Sequence, residues 1–119
     1  MSQLQYTRKN MVDFKNINEV LKLEPFLKHI GMDLGRAVQE GCKVTIRIED
    51  IPGLRIDSEL VIKLTSARIA EETKCLYLDG DNLRLVFKYD TYSQGAESLS
   101  FSKFYFQTEN VCATIIVDF

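Results

Sequence analysis

The chain has 119 residues and a formal charge of −2, from 15 basic and 17 acidic side chains, with 45% apolar residues, 27% charged, six glycines and two prolines. These values describe one globular domain without an internal linker, able to bury roughly two-thirds of the surface it exposes when unfolded. They exclude collagen-like, disordered and disulfide-scaffold classes, and a slightly acidic chain with interspersed charges disfavours nucleic acid as a partner.

Val111 to Val117 is the longest apolar run, far short of the roughly 18 residues a membrane helix needs. The first ten residues carry no apolar leader segment, so a cytoplasmic location is expected. Cys42, Cys75 and Cys112 are widely spaced, with no C-x-x-C pair and no histidine cluster. They are expected as packed free thiols, with no metal and no cofactor.

In chain order, residues 3–7 can supply a short strand. Residues 16–41 then carry a helical signal, because Leu23, Leu27, Ile30, Leu34 and Ala37 recur at steps of four and three. Asn16 with Glu19 fits a capping box, Pro25 suits a first turn, and Gly41 stands where a helix-ending glycine belongs. Pro25 can also split a short first turn from the main helix. Gly31 and Gly35 each cost about 1 kcal/mol relative to alanine inside a helix. Either the helix breaks near Gly31 or the sheet approaches closely there.

Everything after Gly41 reads as strand. Cys42 to Glu49 alternates completely, with Val44, Ile46 and Ile48 inward and Lys43, Thr45, Arg47 and Glu49 outward. Pro52-Gly53 supplies a turn. Further strands are expected at residues 59–65, 75–78 and 83–89, the last two joined by the hairpin signal Asp79-Gly80-Asp81-Asn82. Residues 90–97 read as a loop, residues 99–107 as a strand with a bulge near Ser102-Lys103, and residues 111–119 as the last strand. The fold class is therefore α+β: an N-terminal helical segment packed on an antiparallel, meander-like sheet of five to six strands. The order of elements is similar to that of cystatin-like and hotdog-like folds.

Phosphate-loop, dinucleotide, serine-hydrolase and zinc-protease motifs are absent from the chain. His29, the one histidine, falls off the apolar stripe and is expected at the rim of the helix. Asp79, Asp81 and Asp90 match three positions of a calcium-loop count, but Arg84 stands where the required glycine should be. Glu71-Glu72 and Glu49-Asp50 read as solvated charges.

The outward positions Lys43, Arg47, Lys63, Arg84 and Lys88 suggest a basic sheet face, and with Tyr92 they are the expected contacts for a partner or ligand. Phe104-Tyr105-Phe106 puts rings on both faces of its strand, and Val111 to Val117 is apolar in both phases. Self-association through Tyr105 and Ile116, giving a homo-oligomer, is expected on that ground. The leading functional expectation is a small non-enzymatic module that occupies another protein's surface, as inhibitor, immunity or accessory proteins do. The alternative is a binder of a small nucleotide-like anion on the basic face. An acyl-thioester enzyme, implied by the likeness to hotdog-like folds, is third.

Overall fold

The computed structural model describes residues 11–50 and 58–119. The elements are β1 (Met11–Asp13), α1 (Ile17–Val20), α2 (Pro25–Glu40), β2 (Lys43–Asp50), β3 (Ser58–Ala70), β4 (Cys75–Gly80), β5 (Leu83–Lys88), β6 (Thr91–Glu97), β7 (Phe101–Gln107) and β8 (Val111–Asp118). The described strands form one eight-stranded antiparallel sheet in the order β5-β4-β3-β2-β8-β7-β6, with β1 pairing β3 off this path. The class is α+β, as the sequence predicts, with β1 and β6 as strands beyond those anticipated. The predicted strand at residues 3–7 and the Pro52-Gly53 turn lie outside the described residues.

The helical region divides at Pro25. Asn16 caps α1, its side chain accepting from the Glu19 N–H at 3.4 Å, while the Glu19 carboxylate turns to the Asp13 N–H instead of closing a capping box. Beyond Pro25, α2 runs unbroken through both glycines and ends at Gly41, whose φ of 68° lets the Cys42 N–H reach the Ala37 carbonyl at 3.0 Å. What approaches Gly31 and Gly35 is Phe14, the residue after β1, and not the sheet. A Cβ on Gly35 would stand 2.4 Å from the Phe14 carbonyl oxygen, and one on Gly31 would stand 3.0 Å from the Phe14 ring. The glycines thus weaken the helix locally to admit the β1–α1 connection.

Leu27, Ile30, Leu34 and Ala37 of α2 pack on the inner face of the sheet, against a core that includes Val44, Ile46, Ile69, Leu76, Phe104 and Ile115. Arg36, near the end of α2, lies over the Phe119 ring at 4.3 Å. β3 is twice the expected length because its inward phase changes midway. Ile62 and Leu64 point inward, a register shift falls between Leu64 and Ser66, and Ala67 and Ile69 continue inward in the opposite phase. Simple alternation therefore stops at Thr65 although the strand does not.

β6 replaces the predicted loop at residues 90–97. Its side chains are mostly polar, so alternation does not reveal it, and its pairing with β7 makes it a strand. The bulge expected at Ser102-Lys103 is not on β7, where Ser102, Phe104 and Phe106 are buried in unbroken alternation. The extra residue lies opposite, between Gln94 and Glu97 of β6. Ser102 causes the apparent phase change, as an inward polar residue whose hydroxyl donates to Asp33 Oδ2 at 2.8 Å. β7 begins at Phe101 instead of Leu99, and Leu99 stands fully exposed in the turn before it. β8 lies inside the sheet, paired with β2 on one edge and β7 on the other. Its apolar edge is satisfied within the chain.

Candidate functional site

Both helices sit on the inner face, which leaves the outer face of β7, β8, β2 and β3 as a platform. Directly opposed residues of antiparallel strands share a face, so the register writes that platform out in rows. One row is Tyr105–Thr114–Arg47–Glu59, the next Lys103–Ile116–Thr45–Val61, and the third Phe101–Asp118–Lys43–Lys63. Thr45 and Thr114, short side chains in rows of longer ones, are buried, whereas Val61 is 55% exposed.

The predicted contact residues do not form one patch. Arg47 and Lys63 share the platform with Tyr105 and Ile116. Arg47 is ion-paired to Glu59 at 3.1 Å, whereas Lys63 and its directly opposed neighbour Lys43 have no ion-pair partner among the described residues. Arg84 opposes Asp79, which opposes Ser66, so it is separated from Arg47 by the stretch of β3 from Glu59 to Ser66, about 20 Å of extended chain. Lys88 opposes Cys75, farther along again. Tyr92 points to the inner side, at the start of α2.

Asp79 holds Arg84 at 2.9 Å and Arg68 at 3.2 Å, one carboxylate between two guanidinium groups. Arg68 also lies 5.4 Å from the Tyr77 ring centroid, and its Nε is buried without a partner. A broad, open depression of about 510 Å³ lies beside this group, where Gly80 and Leu83 flank the hairpin turn and Asn82 takes a φ of 62°.

A second polar group ties α2 to β6 and β7. His29 Nε2 lies 2.9 Å from Glu97 Oε2 and 3.6 Å from Asp33 Oδ2, and Gln94 donates to the same Glu97 oxygen at 3.0 Å. Ser102 donates its hydrogen bond to Asp33 and not to the imidazole. The geometry is that of a strap across the helix–sheet seam, with the ring edge-on to Phe104 at 6.2 Å. His29 is at the rim, as its position off the stripe predicts.

The third group surrounds the start of α2. Glu24 caps the helix by accepting from the Leu27 N–H at 2.7 Å and the Phe26 N–H at 3.2 Å, and it also accepts from the Tyr92 hydroxyl at 2.9 Å. Desolvation pushes the Glu24 pKa upward, but the bonds from Leu27, Tyr92 and Phe26 prevail and hold it below its ordinary value. Phe26, Tyr89, Tyr92 and Phe106 form a ring cluster, with tilted or edge-on contacts between 5.2 and 6.1 Å. Burial first, then the neighbouring Tyr92 and Glu71, pushes Tyr89 up to about 12. Tyr92 rises to about 12 through desolvation and its bond to Glu24. Beside the cluster opens a cleft of about 270 Å³ lined by Leu27, Glu71, Lys74, Tyr89, Asp90 and Tyr92.

Sequence reasoning selected Tyr92 but missed Glu24, Tyr89 and the His29–Glu97 and Asp33–Ser102 contacts. The Glu24-Pro25 step just before a helical run was the available signal for Glu24, since a side-chain acceptor there caps the helix. Nothing local could signal partners about seventy positions away.

The three cysteines are free, in the α2–β2 connection, β4 and β8. Among the described residues no His, Cys, Asp or Glu cluster is arranged to hold a metal ion, and no helix is long and apolar enough to cross a membrane. No protein family, curated protein or solved structure matches the chain.

Proposed function

We propose that the chain is a binding module that lays the outer face of β7, β8, β2 and β3 on the surface of another protein. The observation that carries this reading is the composition of that face. Ile116 and Val61, in one row with Lys103 and the buried Thr45, form an apolar patch with Tyr105 of the next row, bordered by Asp118, Lys43 and Lys63 on one side and by the Arg47–Glu59 pair of Tyr105's own row on the other. An apolar centre with a charged border is the usual anatomy of a protein interface. The complementary partner patch is apolar in the middle, with a carboxylate opposite Lys63.

Four strands spaced about 4.8 Å apart and about seven residues long give a platform of about 20 by 24 Å. Counted over both partners that is about 960 Å², below the usual range of stable interfaces. Tight binding then depends on Tyr105 and Ile116 as anchors rather than on area. A second copy of this chain is the other occupant of matching chemistry.

The test is native mass spectrometry of the protein isolated from its own cells, as wild type, as Ile116→Lys with Lys63→Glu, and as Val86→Lys on β5, away from the platform. One polypeptide of fixed stoichiometry should accompany the wild type and Val86→Lys and be lost from the double variant. A polypeptide retained equally by all three, or by none, rejects the platform. If the retained polypeptide is the chain itself, the interface is a homo-oligomer.

One observation favours a small-anion reading of the same face. Lys43 and Lys63 are directly opposed across β2 and β3, and Asp118 opposes Lys43 on its other side, so Lys63 is left facing a like charge with no carboxylate opposite it. A bound anion would relieve it. Inorganic phosphate should then raise the melting temperature in a saturable way, and Lys63→Gln should abolish the rise.

A further inference from the structure

We propose that the depression beside the β4–β5 hairpin is a binding site for a phosphate group, free or carried on a small organic body, with Arg84 as its anchor. This goes beyond the platform reading and does not involve the Lys43–Lys63 pair, because Arg84 opposes Asp79 on β4 and through it Ser66, past the register shift of β3.

Two observations carry it. The first is a shortage of acceptors around Arg68. Asp79 divides its carboxylate, Oδ1 accepting from Arg84 Nε at 2.9 Å and Oδ2 from Arg68 Nη2 at 3.2 Å. The rest of the Arg68 guanidinium is poorly served: Nη1 meets the Met11 thioether at 3.5 Å, and Nε is buried without a partner. A thioether is a weak acceptor, and a buried donor left unpaired costs stability. Asp13 opposes Arg68 across β1 but forms no ion pair with it, and its Oδ1 accepts from the Lys15 N–H at 2.9 Å. Two guanidinium groups thus draw on one carboxylate. An oxyanion on Arg84 releases Asp79 to turn both oxygens to the Nε–Nη2 edge of Arg68, the bidentate geometry that suits a guanidinium.

The second observation is the set of donors at the depression. Arg84, Asn82 and Ser66 line it, and Asp79 is the one acidic residue of the lining. Two backbone irregularities bring these groups together. The register shift between Leu64 and Ser66 puts Thr65 out of the ladder, where its hydroxyl donates to the Asp79 carbonyl at 3.2 Å, and Asn82 turns the hairpin with its φ of 62°. Arg84 is 68% exposed and gives only its Nε to Asp79, so its two Nη groups remain for a ligand. Donors on three residues suit the three free oxygens of a phosphate better than the two of a planar carboxylate.

Size leaves room for a substituent. About 510 Å³ is within the range of small-molecule sites and more than an inorganic ion fills, and Leu83 supplies an apolar wall.

The experiment titrates isotope-labelled full-length protein with inorganic phosphate and separately with phenyl phosphate, following amide and arginine Nε–H resonances, with sodium chloride at equal ionic strength as control. Saturable shifts at Thr65, Ser66, Asn82 and Arg84 are expected with both phosphates and not with chloride. Tighter binding of phenyl phosphate identifies a phosphate ester as the ligand, and equal affinity identifies free phosphate.

Arg84→Gln should weaken binding about tenfold or more, the scale of a lost charge-assisted fork, whereas Lys63→Gln should leave the shifts at Arg84 in place. The Arg68 Nε–H resonance should move as phosphate binds, because Asp79 turns to it. In Arg84→Gln without phosphate it should already stand at the shifted position. Absence of saturable shifts with either phosphate, equal shifts with chloride, undiminished binding in Arg84→Gln, or an Arg68 Nε–H that stays fixed overturns the proposal.

Discussion

The Tyr92 hydroxyl donates a 2.9 Å hydrogen bond to Glu24 Oε1, joining the edge strand β6 to the N-cap of α2. The same carboxylate accepts two helix N–H groups, so one side chain starts the helix and docks the strand. Glu24→Ala should cost about 1 kcal/mol as a lost cap, with a further loss for the stranded Tyr92 hydroxyl. A double-mutant cycle with Tyr92→Phe, read by chemical denaturation, should return a coupling energy that differs from zero.

The same contact sets a pH dependence at the acid end. Glu24 is held below its ordinary value of 4.5 in the folded protein, so the unfolded chain takes up the proton first. Its contribution to stability is complete above the unfolded value and is lost as pH falls through the folded one. Replacement by glutamine should flatten that part of the stability–pH profile, as measured by denaturant midpoints from neutral pH downward.

At the alkaline end the sign reverses. Tyr89 and Tyr92 rise from 10 to about 12 on folding, which favours the protonated phenols in the native state. Their contribution is complete below pH 10 and is lost as pH rises through about 12. Tyrosinate absorbance should show these two groups ionising late and together with unfolding. Tyr89→Phe with Tyr92→Phe should move the alkaline transition to higher pH.

Gly31 and Gly35 should differ although both are buried in α2. Alanine favours a helix by about 1 kcal/mol over glycine. At Gly35 the added Cβ would meet the Phe14 carbonyl oxygen at 2.4 Å, and a backbone atom yields little. Gly35→Ala should therefore lose about 2 kcal/mol or more, the range of overpacked cores. At Gly31 the neighbours are the Phe14 ring and a Val20 methyl, both at 3.0 Å or beyond, so Gly31→Ala should stay within about 1 kcal/mol of wild type. Thermal melts of both variants measure the difference.

Asp79→Ala should be among the more damaging substitutions outside the core. It leaves Arg68, whose side chain is 27% exposed, without its carboxylate, beside a buried Nε that already lacks a partner. A loss of about 1.5–3 kcal/mol is expected, the scale of a hydrogen bond to a charged group in partial burial. Arg84→Ala removes only the 68% exposed partner and should cost less than about 1 kcal/mol. Urea midpoints of the two variants decide the ranking.

The sequence by itself determined the α+β class, the apolar stripe of α2, its glycine end at Gly41 and the strands from β2 onward whose inward residues alternate. These features follow from local periodicity and backbone stereochemistry, which neighbouring residues alone impose. Tertiary structure decided the rest. β6 is a strand because β7 supplies its hydrogen bonds, and β3 continues past Thr65 because β1 and β4 pair with its far end after the inward phase has switched. Ser102 faces the core because Asp33, 69 positions away, accepts its hydrogen bond. Tyr105 and Ile116 share a face with Arg47 and Lys63, whereas Arg84 does not join them, and strand order rather than composition produced that division. Cross-strand register and helix docking bring distant residues together, and no local pattern encodes which ones will meet.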